Sequence, residues 1–143
     1  MPGRHSEAAF EAAIEAYLTT SGGYVAGDRE AFDAERCLDR GTFLSFVAET
    51  QPDEWAYLQD LQKDKAAQTL IDDLCRALDS EHQGCLSVLR HGFKCFGKLF
   101  RAVYFAPASG MNPETTRRHA ANRLEITRQV RYSTRHANTL DVV

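Results

Sequence analysis

The last third of the chain alternates apolar and polar residues, which is the pattern of a half-buried β-strand. Every second residue from 124 to 132 belongs to the apolar phase of this pattern: Leu124, Ile126, Arg128, Val130 and Tyr132. A further short stretch, residues 140–143, places the carboxylate of Asp141 between Leu140 and Val142. Because a period of two orients one face of a strand and not one face of a helix, both segments are predicted to be strands.

The preceding residues carry signals for helices. Ser6 is a candidate N-cap for a helix over residues 7–19. The predicted core stripe of this helix comprises Phe10, Ile14, Tyr17 and Leu18. Pro52 marks the first turn of a second helix, which should run to about residue 80 with an interruption near residues 63–65. Asparagine followed by proline predicts a third helix over residues 113–123.

The remaining predicted elements are short. They are strands at residues 24–26, 85–90 and 98–105, and a helix at residues 31–48 that is broken near Gly41. The predicted fold class is therefore α+β, with N-terminal helices leading into a mixed or antiparallel sheet. A length of 143 residues suits a single domain, residues 1–143, with one core.

The composition excludes several classes of protein. No apolar run approaches the ~20 residues of a membrane span, and the N-terminal residues lack the apolar stretch of a signal peptide. The predicted location is therefore the cytoplasm. The four cysteines are widely spaced and include no Cys-x-x-Cys pair, which argues against a zinc site and a disulfide framework. We expect them to be buried or half-buried free thiols.

The net charge of -3 conceals an uneven distribution along the sequence. Residues 1–89 contain 7 Lys and Arg against 17 Asp and Glu, whereas residues 90–143 contain 10 against 3. A basic segment of this kind is typical of a surface that faces a polyanion such as DNA. The alternative is that the acidic and basic segments pack side by side and neutralise each other.

Three carboxylates recur at every fourth position of the first predicted helix, namely Glu7, Glu11 and Glu15. This spacing places them on one helix face. A solvated acidic face is the ordinary interpretation, and a metal site that uses one of these carboxylates is the alternative.

Short sequence words spread over most of the chain occur in an order that is typical of one family. They are Phe10-Glu11, Gly23-Tyr24, Thr50-Gln51-Pro52 with Trp55, Val88-Leu89-Arg90-His91-Gly92-Phe93, Phe105-Ala106-Pro107-Ala108-Ser109, Asn112-Pro113-Glu114, Asn122, Thr127-Arg128-Gln129-Val130 with Tyr132-Ser133, and Leu140-Asp141. No single motif identifies the family. In this order and spacing the sequence resembles the N-terminal region of the restriction (R) subunit of type I restriction-modification enzymes.

The resemblance implies a nuclease domain of the PD-(D/E)xK type, the front part of a restriction-endonuclease-like fold. In that family the domain precedes two helicase-like motor domains that use ATP. The subunit acts on double-stranded DNA together with modification and specificity subunits. Mg²⁺ is the implied cofactor of the nuclease site, whereas ATP belongs to the motor domains. No Gly-x-x-x-x-Gly-Lys-Ser/Thr phosphate-binding loop occurs in this sequence.

Two carboxylates are the candidate site residues. Asp141 matches the first acid of the family's site, and the resemblance implies that it is a catalytic metal ligand. Glu11 is the candidate for a further acid from the first helix, with Glu15 behind it, and the alternative is an ordinary surface carboxylate. The family's Glu-x-Lys motif lies one β-hairpin later and does not follow Asp141 in this sequence, which ends at Val143.

The 143-residue chain is therefore expected not to cleave DNA, because a single carboxylate holds Mg²⁺ poorly. Reproducible Mg²⁺-dependent nicking by the pure chain, lost in Asp141→Ala, would contradict this expectation.

Arginines of the basic segment are candidates for sequence-independent contacts to DNA phosphates. They are Arg117, Arg118, Arg123, Arg131 and Arg135. Arg128 shares the apolar phase of its strand, so it is instead predicted to be partly buried and paired with an acid. For the other five arginines, the alternative to DNA contacts is a position on an ordinary solvated face.

Two functions from different classes follow. The first is the N-terminal part of a type I restriction endonuclease subunit, with metal-dependent DNA hydrolysis in the full-length protein. The second is a non-catalytic remnant of such a subunit that docks to DNA or to partner subunits. A third option is a truncated gene product without a function of its own. A Glu-x-Lys motif on the next strand of the parent reading frame would favour the first.

Overall fold

A computed structural model describes residues 6–143, and within them the chain is α+β, as predicted. The α-helices of this part of the chain are Glu7–Thr20 (α1), Arg40–Thr50 (α2), Pro52–Gln62 (α3), Ala66–Asp79 (α4), Gly84–His91 (α5) and Pro113–Ala120 (α6). The strands are Val25–Ala26 (β1), Phe32–Asp33 (β2), Leu38–Asp39 (β3), Phe93–Cys95 (β4), Lys98–Phe100 (β5), Glu125–Ile126 (β6), Arg128–Arg131 (β7) and Thr139–Val142 (β8). No helix among these residues has both the length and the apolar character needed to cross a bilayer.

The strands form separate pairs, so the prediction of one mixed or antiparallel sheet is wrong for residues 6–143. β1 pairs with β6 in parallel, whereas β2 with β3, β4 with β5 and β7 with β8 are antiparallel. The strand predicted over residues 124–132 becomes two, because the chain changes partner at Thr127. The backbone of Thr127 exchanges hydrogen bonds of 2.7 and 2.8 Å with Val143. No strand is longer than four residues in the described part.

The described residues divide into two compact units, one formed by residues 6–40 with 123–143 and the other by residues 41–122. The first unit has seven Lys and Arg against ten Asp and Glu in its described sequence, and the second has nine against ten. The basic segment at residues 90–143 is therefore shared between both units. The uneven charge along the sequence does not become a difference in charge between them.

In the first unit, α1 begins as the sequence predicts but buries a different face. The side chain of Ser6 accepts a hydrogen bond from the amide of Ala9 at 3.3 Å, which confirms the N-cap. The predicted core stripe is wrong in part, because Phe10 and Tyr17 are 69% and 67% exposed. The buried residue of α1 is Glu11, which is 4% exposed.

The core of the second unit is formed by helices α3 to α5 and the β4–β5 hairpin. Its fully buried side chains include Leu58, Leu70, Ile71, Val88, Phe93 and Phe100. α3 begins at Pro52, as predicted, and a 3₁₀ turn at Lys63–Lys65 separates α3 from α4. The predicted interruption is thus confirmed, and Lys63 changes the chain direction there with a φ of +53°.

Three short predictions for residues 31–105 are wrong. Residues 85–90 form most of α5 instead of a strand, because a short apolar run has no period that separates the two structures. Residues 32–39 contain the β2–β3 ribbon instead of the first half of a helix. The strand predicted at 98–105 ends at Phe100. Further along, α6 starts at Pro113 as predicted and ends three residues early, at Ala120.

The four free thiols differ in exposure, and we expect them to differ in reactivity. Cys95 is buried, and burial together with a hydrogen bond to Asp73 raises the pKa of its thiol to about 12. Cys75 is half-buried, as expected, whereas Cys37 and Cys85 are exposed, which corrects the prediction for these two. Because the thiolate is the reactive form, an aromatic disulfide reagent at pH 8 should label Cys37 and Cys85 first and Cys95 only after unfolding.

Labelling followed by mass spectrometry of peptides checks this order. A Cys37→Ser, Cys85→Ser double variant should lose the fast phase and keep the slow ones. Fast labelling of Cys95 in the folded chain would contradict the burial of this residue.

Candidate metal site

The two ends of the first unit bring three carboxylates together. Glu7 and Glu11 lie one turn apart on α1, and Asp141 lies on β8. One oxygen from each carboxylate lies within 4.8 Å of the others. We call these three residues the acidic cluster. It contains both site residues predicted from the sequence, Asp141 and Glu11, and adds Glu7.

Glu11 is held in the cluster by side chains of β7. The Nε2 of Gln129 donates to Glu11 Oε1 at 2.8 Å, and the Nε of Arg128 donates to Glu11 Oε2 at 3.4 Å. Arg128 Nη1 also lies 4.0 Å from a carboxylate oxygen of Glu15. The side chain of Arg128 is 30% exposed, so its predicted partial burial and acidic pairing are confirmed. A buried carboxylate needs such partners, and the side chains of β7 supply them to Glu11.

Gln129 is a site residue that the sequence did not reveal. Its backbone has a φ of +54°, a left-handed conformation that costs a residue with a Cβ about 1–2 kcal/mol. Its side chain links two elements, since Nε2 bonds Glu11 and Oε1 accepts from the hydroxyl of Thr139 at 2.8 Å. Nothing in the sequence around a glutamine predicts a positive φ, so this bridge is visible only in the fold.

Glu7 and Asp141 form the exposed side of the cluster. The charge of Asp141, then its hydrogen bond, and then the charge of Glu11 raise the pKa of Glu7 above its ordinary value. A carboxyl whose folded pKa is raised adds stability at low pH and loses it as the pH rises through that pKa. At neutral pH the cluster therefore concentrates more negative charge than its protein neighbours neutralise.

The donor set fits a hard divalent cation. Oxygen ligands, carboxylates above all, are those that Mg²⁺ binds, and the ion usually keeps several waters beside one or two protein ligands. Glu7 and Asp141 are exposed and could offer direct ligands. Each oxygen of Glu11 already accepts one hydrogen bond and keeps a second lone pair, so Glu11 could serve as a third contact.

A polar cavity of about 420 Å³ lies in the same unit. Its lining combines two acids, two arginines and two further residues: Glu15, Asp28, Arg29, Arg128, Gly27 and Gln129. The formal charges of this lining sum to zero. It shares Arg128 and Gln129 with the contacts that hold Glu11.

No protein-family model matches the sequence, and comparisons with curated proteins and with solved structures find no match. The family resemblance of the sequence therefore stays a prediction.

The five arginines predicted to contact DNA do not form one set. Arg117 and Arg118 lie on α6 in the unit of residues 41–122, whereas the other three lie in the unit that holds the acidic cluster. Both helix arginines bind Glu114, at 2.8 Å each, and these hydrogen bonds lower the pKa of Glu114 to about 2. The carboxylate therefore stays charged, and keeps both partners, in all but strongly acidic solution.

The other arginines have different surroundings. Arg131 Nε donates to the carbonyl oxygens of Ser133 and His136 at 3.2 and 3.4 Å, which folds the loop after β7 around the guanidinium. Arg123 and Arg135 are exposed. Their role in DNA binding stays a prediction.

Proposed function

We propose that the chain is the N-terminal part of the nuclease domain of a type I restriction endonuclease subunit. The acidic cluster would be the first half of its Mg²⁺ site. The observation that carries this proposal is the meeting of Glu11 and Asp141, which were singled out from the sequence and are 130 positions apart in it. In the full-length protein the substrate would be double-stranded DNA, and the partners would be modification and specificity subunits in the cytoplasm.

Each residue of the cluster has a distinct task in this proposal. Asp141 and Glu7 would hold the cation, and Glu11 would complete the site from the buried side. When bound, Mg²⁺ would neutralise charge on the scissile phosphate and activate water. Arg128 and Gln129 keep the Glu11 carboxylate in place, at 3.4 and 2.8 Å, so that it does not rotate away from the other two acids.

The arginines would supply backbone contacts. Arg131 and Arg135 follow or belong to β7, in the unit that holds the acidic cluster, and Arg123 precedes β6. Contacts from arginine to phosphate carry no sequence information and weaken with salt. They suit an enzyme whose recognition sequence is read by another subunit.

Divalent-cation binding tests the proposal. Titration of the full 143-residue chain with Mn²⁺, followed by electron paramagnetic resonance, should reveal a site in roughly the millimolar range, competed by Mg²⁺. Asp141→Asn should weaken binding at least about tenfold, the scale at which lost metal-site contacts act. Glu7→Gln should weaken it in the same direction, because both residues offer exposed oxygens.

Glu35→Gln is the matched control, since it removes one exposed carboxylate of the same unit outside the cluster. A loss of affinity in this variant equal to that in Asp141→Asn would mean that the chain attracts cations only through its net charge. That result would remove the cluster as a metal site.

A second candidate function is a non-catalytic DNA-binding or subunit-docking module. The observation that favours it is the position of Glu11, whose two oxygens already bond Gln129 and Arg128 and could have a structural role alone. DNA binding that is unchanged by Mg²⁺ and by Asp141→Asn, with no Mn²⁺ site in the chain, would favour this module.

A further inference from the structure

A cavity of about 240 Å³ in the unit of residues 41–122 has a wall rich in positive charge. Lys98 comes from β5, Arg101 from the segment that follows it, and Arg118 from α6. Glu54 of α3 is the one acid of the wall, and Arg118 is paired with Glu114, so two further cations, Lys98 and Arg101, face one acid. A concave surface with this excess of positive charge attracts anions.

Two of these cations are oriented without being neutralised. Lys98 Nζ lies 4.8 Å from the centre of the Tyr57 ring. The guanidinium of Arg101 donates to the carbonyl oxygen of Arg90 at 3.2 Å. Among residues 6–143, neither cation has a carboxylate within ion-pair distance. A ring face and a neutral carbonyl hold a positive charge in position and leave it available to an anion.

The backbone beside the cavity is also fixed. Gln51 is 2% exposed, and its side-chain amide bonds both backbone groups of Arg101. Gln51 Oε1 accepts from the Arg101 amide at 2.6 Å, and its Nε2 donates to the Arg101 carbonyl at 3.0 Å. These two hydrogen bonds resemble the pair that two residues exchange in an antiparallel β-bridge. A site that is ordered before the ligand arrives loses less conformational entropy on binding.

The aromatic rings of the cavity region are already partnered by cations. The guanidinium of Arg118 lies 5.7 Å from the centre of the Tyr104 ring and bonds Glu114 at 2.8 Å. The ammonium group of Lys98 likewise lies over the Tyr57 ring. The cavity therefore suits the charge of a phosphate better than the stacking of a base.

We propose that this cavity binds a phosphate group through Lys98 and Arg101. The phosphate could belong to a nucleic-acid backbone or be free, since the recognising chemistry is the same. The site shares no residue with the acidic cluster, so failure of this proposal would leave the proposed nuclease function untouched, and the reverse also holds.

Titration of the ¹⁵N-labelled full chain with inorganic phosphate, at constant ionic strength in chloride, tests the proposal. The amides of residues 97–101 should shift in a saturable manner. Lys98→Gln should weaken binding about three- to tenfold, as expected for the loss of one charge-assisted contact at a partly exposed site. Arg101→Lys retains the charge and should bind with a smaller loss.

Lys65→Gln is the matched control, because it removes an exposed lysine of the same unit outside the cavity. It should leave the affinity for phosphate unchanged. Shifts located outside residues 97–101, no saturation, or equal losses in Lys65→Gln and Lys98→Gln would overturn the proposal.

Fluorescence anisotropy with a short DNA duplex distinguishes the two sources of phosphate. If the cavity contacts a nucleic-acid backbone, Lys98→Gln should weaken duplex binding and reduce its salt dependence by about one phosphate contact. If Lys98→Gln weakens only the binding of inorganic phosphate and not of the duplex, the ligand of the cavity is free phosphate. Absence of both interactions in the wild-type chain would overturn the proposal.

Discussion

Replacing Arg128 with Ala is expected to destabilise the chain by about 2–3 kcal/mol. Among residues 6–143, the substitution leaves the almost fully buried Glu11 carboxylate with Gln129 as its remaining side-chain donor. Removing one partner of a buried ion pair costs about 3–5 kcal/mol, and the partial exposure of Arg128 lowers the figure here. Urea unfolding at pH 7, followed by circular dichroism, measures the change.

A double-mutant cycle separates the ion pair from the packing of the arginine stem. In a Glu11→Gln background the neutral amide no longer needs a counter-charge, so Arg128→Ala should cost only about 1 kcal/mol. Arg128→Lys keeps the charge and should fall between the two. Equal losses from Arg128→Ala in both backgrounds would show that Glu11 does not depend on Arg128, and the account of the buried carboxylate would be wrong.

Gly92→Ala is expected to destabilise the second unit by about 3–4 kcal/mol. Gly92 ends α5 with φ +74° and ψ -164°, a region that residues with a Cβ rarely enter. An added Cβ would also overlap the carbonyl oxygen of Phe100. Phe100 pairs with Phe93 in the β4–β5 hairpin, and both rings are buried, so a shift of this backbone would disturb the core. Thermal and urea unfolding should both report the loss.

Gly84→Ala is the control for this prediction. Gly84 lies at the other end of α5 with a φ of +77°, but an added Cβ there would meet no atom within 4 Å. Its cost should therefore be backbone strain alone, about 1–2 kcal/mol. If the two variants lose the same stability, then the close approach to Phe100 contributes nothing and the hairpin is more adaptable than its packing indicates.

Helix starts are the part of the fold that could be predicted with most success. Ser6 accepts from the amide of Ala9, and Asn112 accepts from the amides of Glu114 and Thr115. Pro52 occupies the first turn of α3. A cap acts across three or four residues, so its chemistry is complete within a short stretch of sequence. The same stretch cannot tell whether residues 85–90 form a strand or a helix, since packing against the rest of the unit decides it.

The candidate site could be predicted in part. A period of four identified the acidic face of α1, and the alternation in residues 124–132 predicted that Arg128 would be buried with an acid. The position of Gln129 could not be predicted, because its positive φ has no local sequence signal and its side-chain partners, Glu11 and Thr139, lie on other elements. The separation of the sheet into pairs was also missed, since pairing depends on distant partners.

Local chemistry was sufficient where a residue and its partner are neighbours in the sequence, as at the caps of α1 and α6 and at the break between α3 and α4. Which face of α1 is buried was decided by the folded chain. Burying Glu11 is favourable only when a cation is present, and that cation, Arg128, lies 117 positions further along the sequence. The fold likewise brings Asp141 to Glu7, which is 134 positions earlier in the sequence. No local pattern carries this information, because the energy of a buried charge depends on what the rest of the fold places beside it.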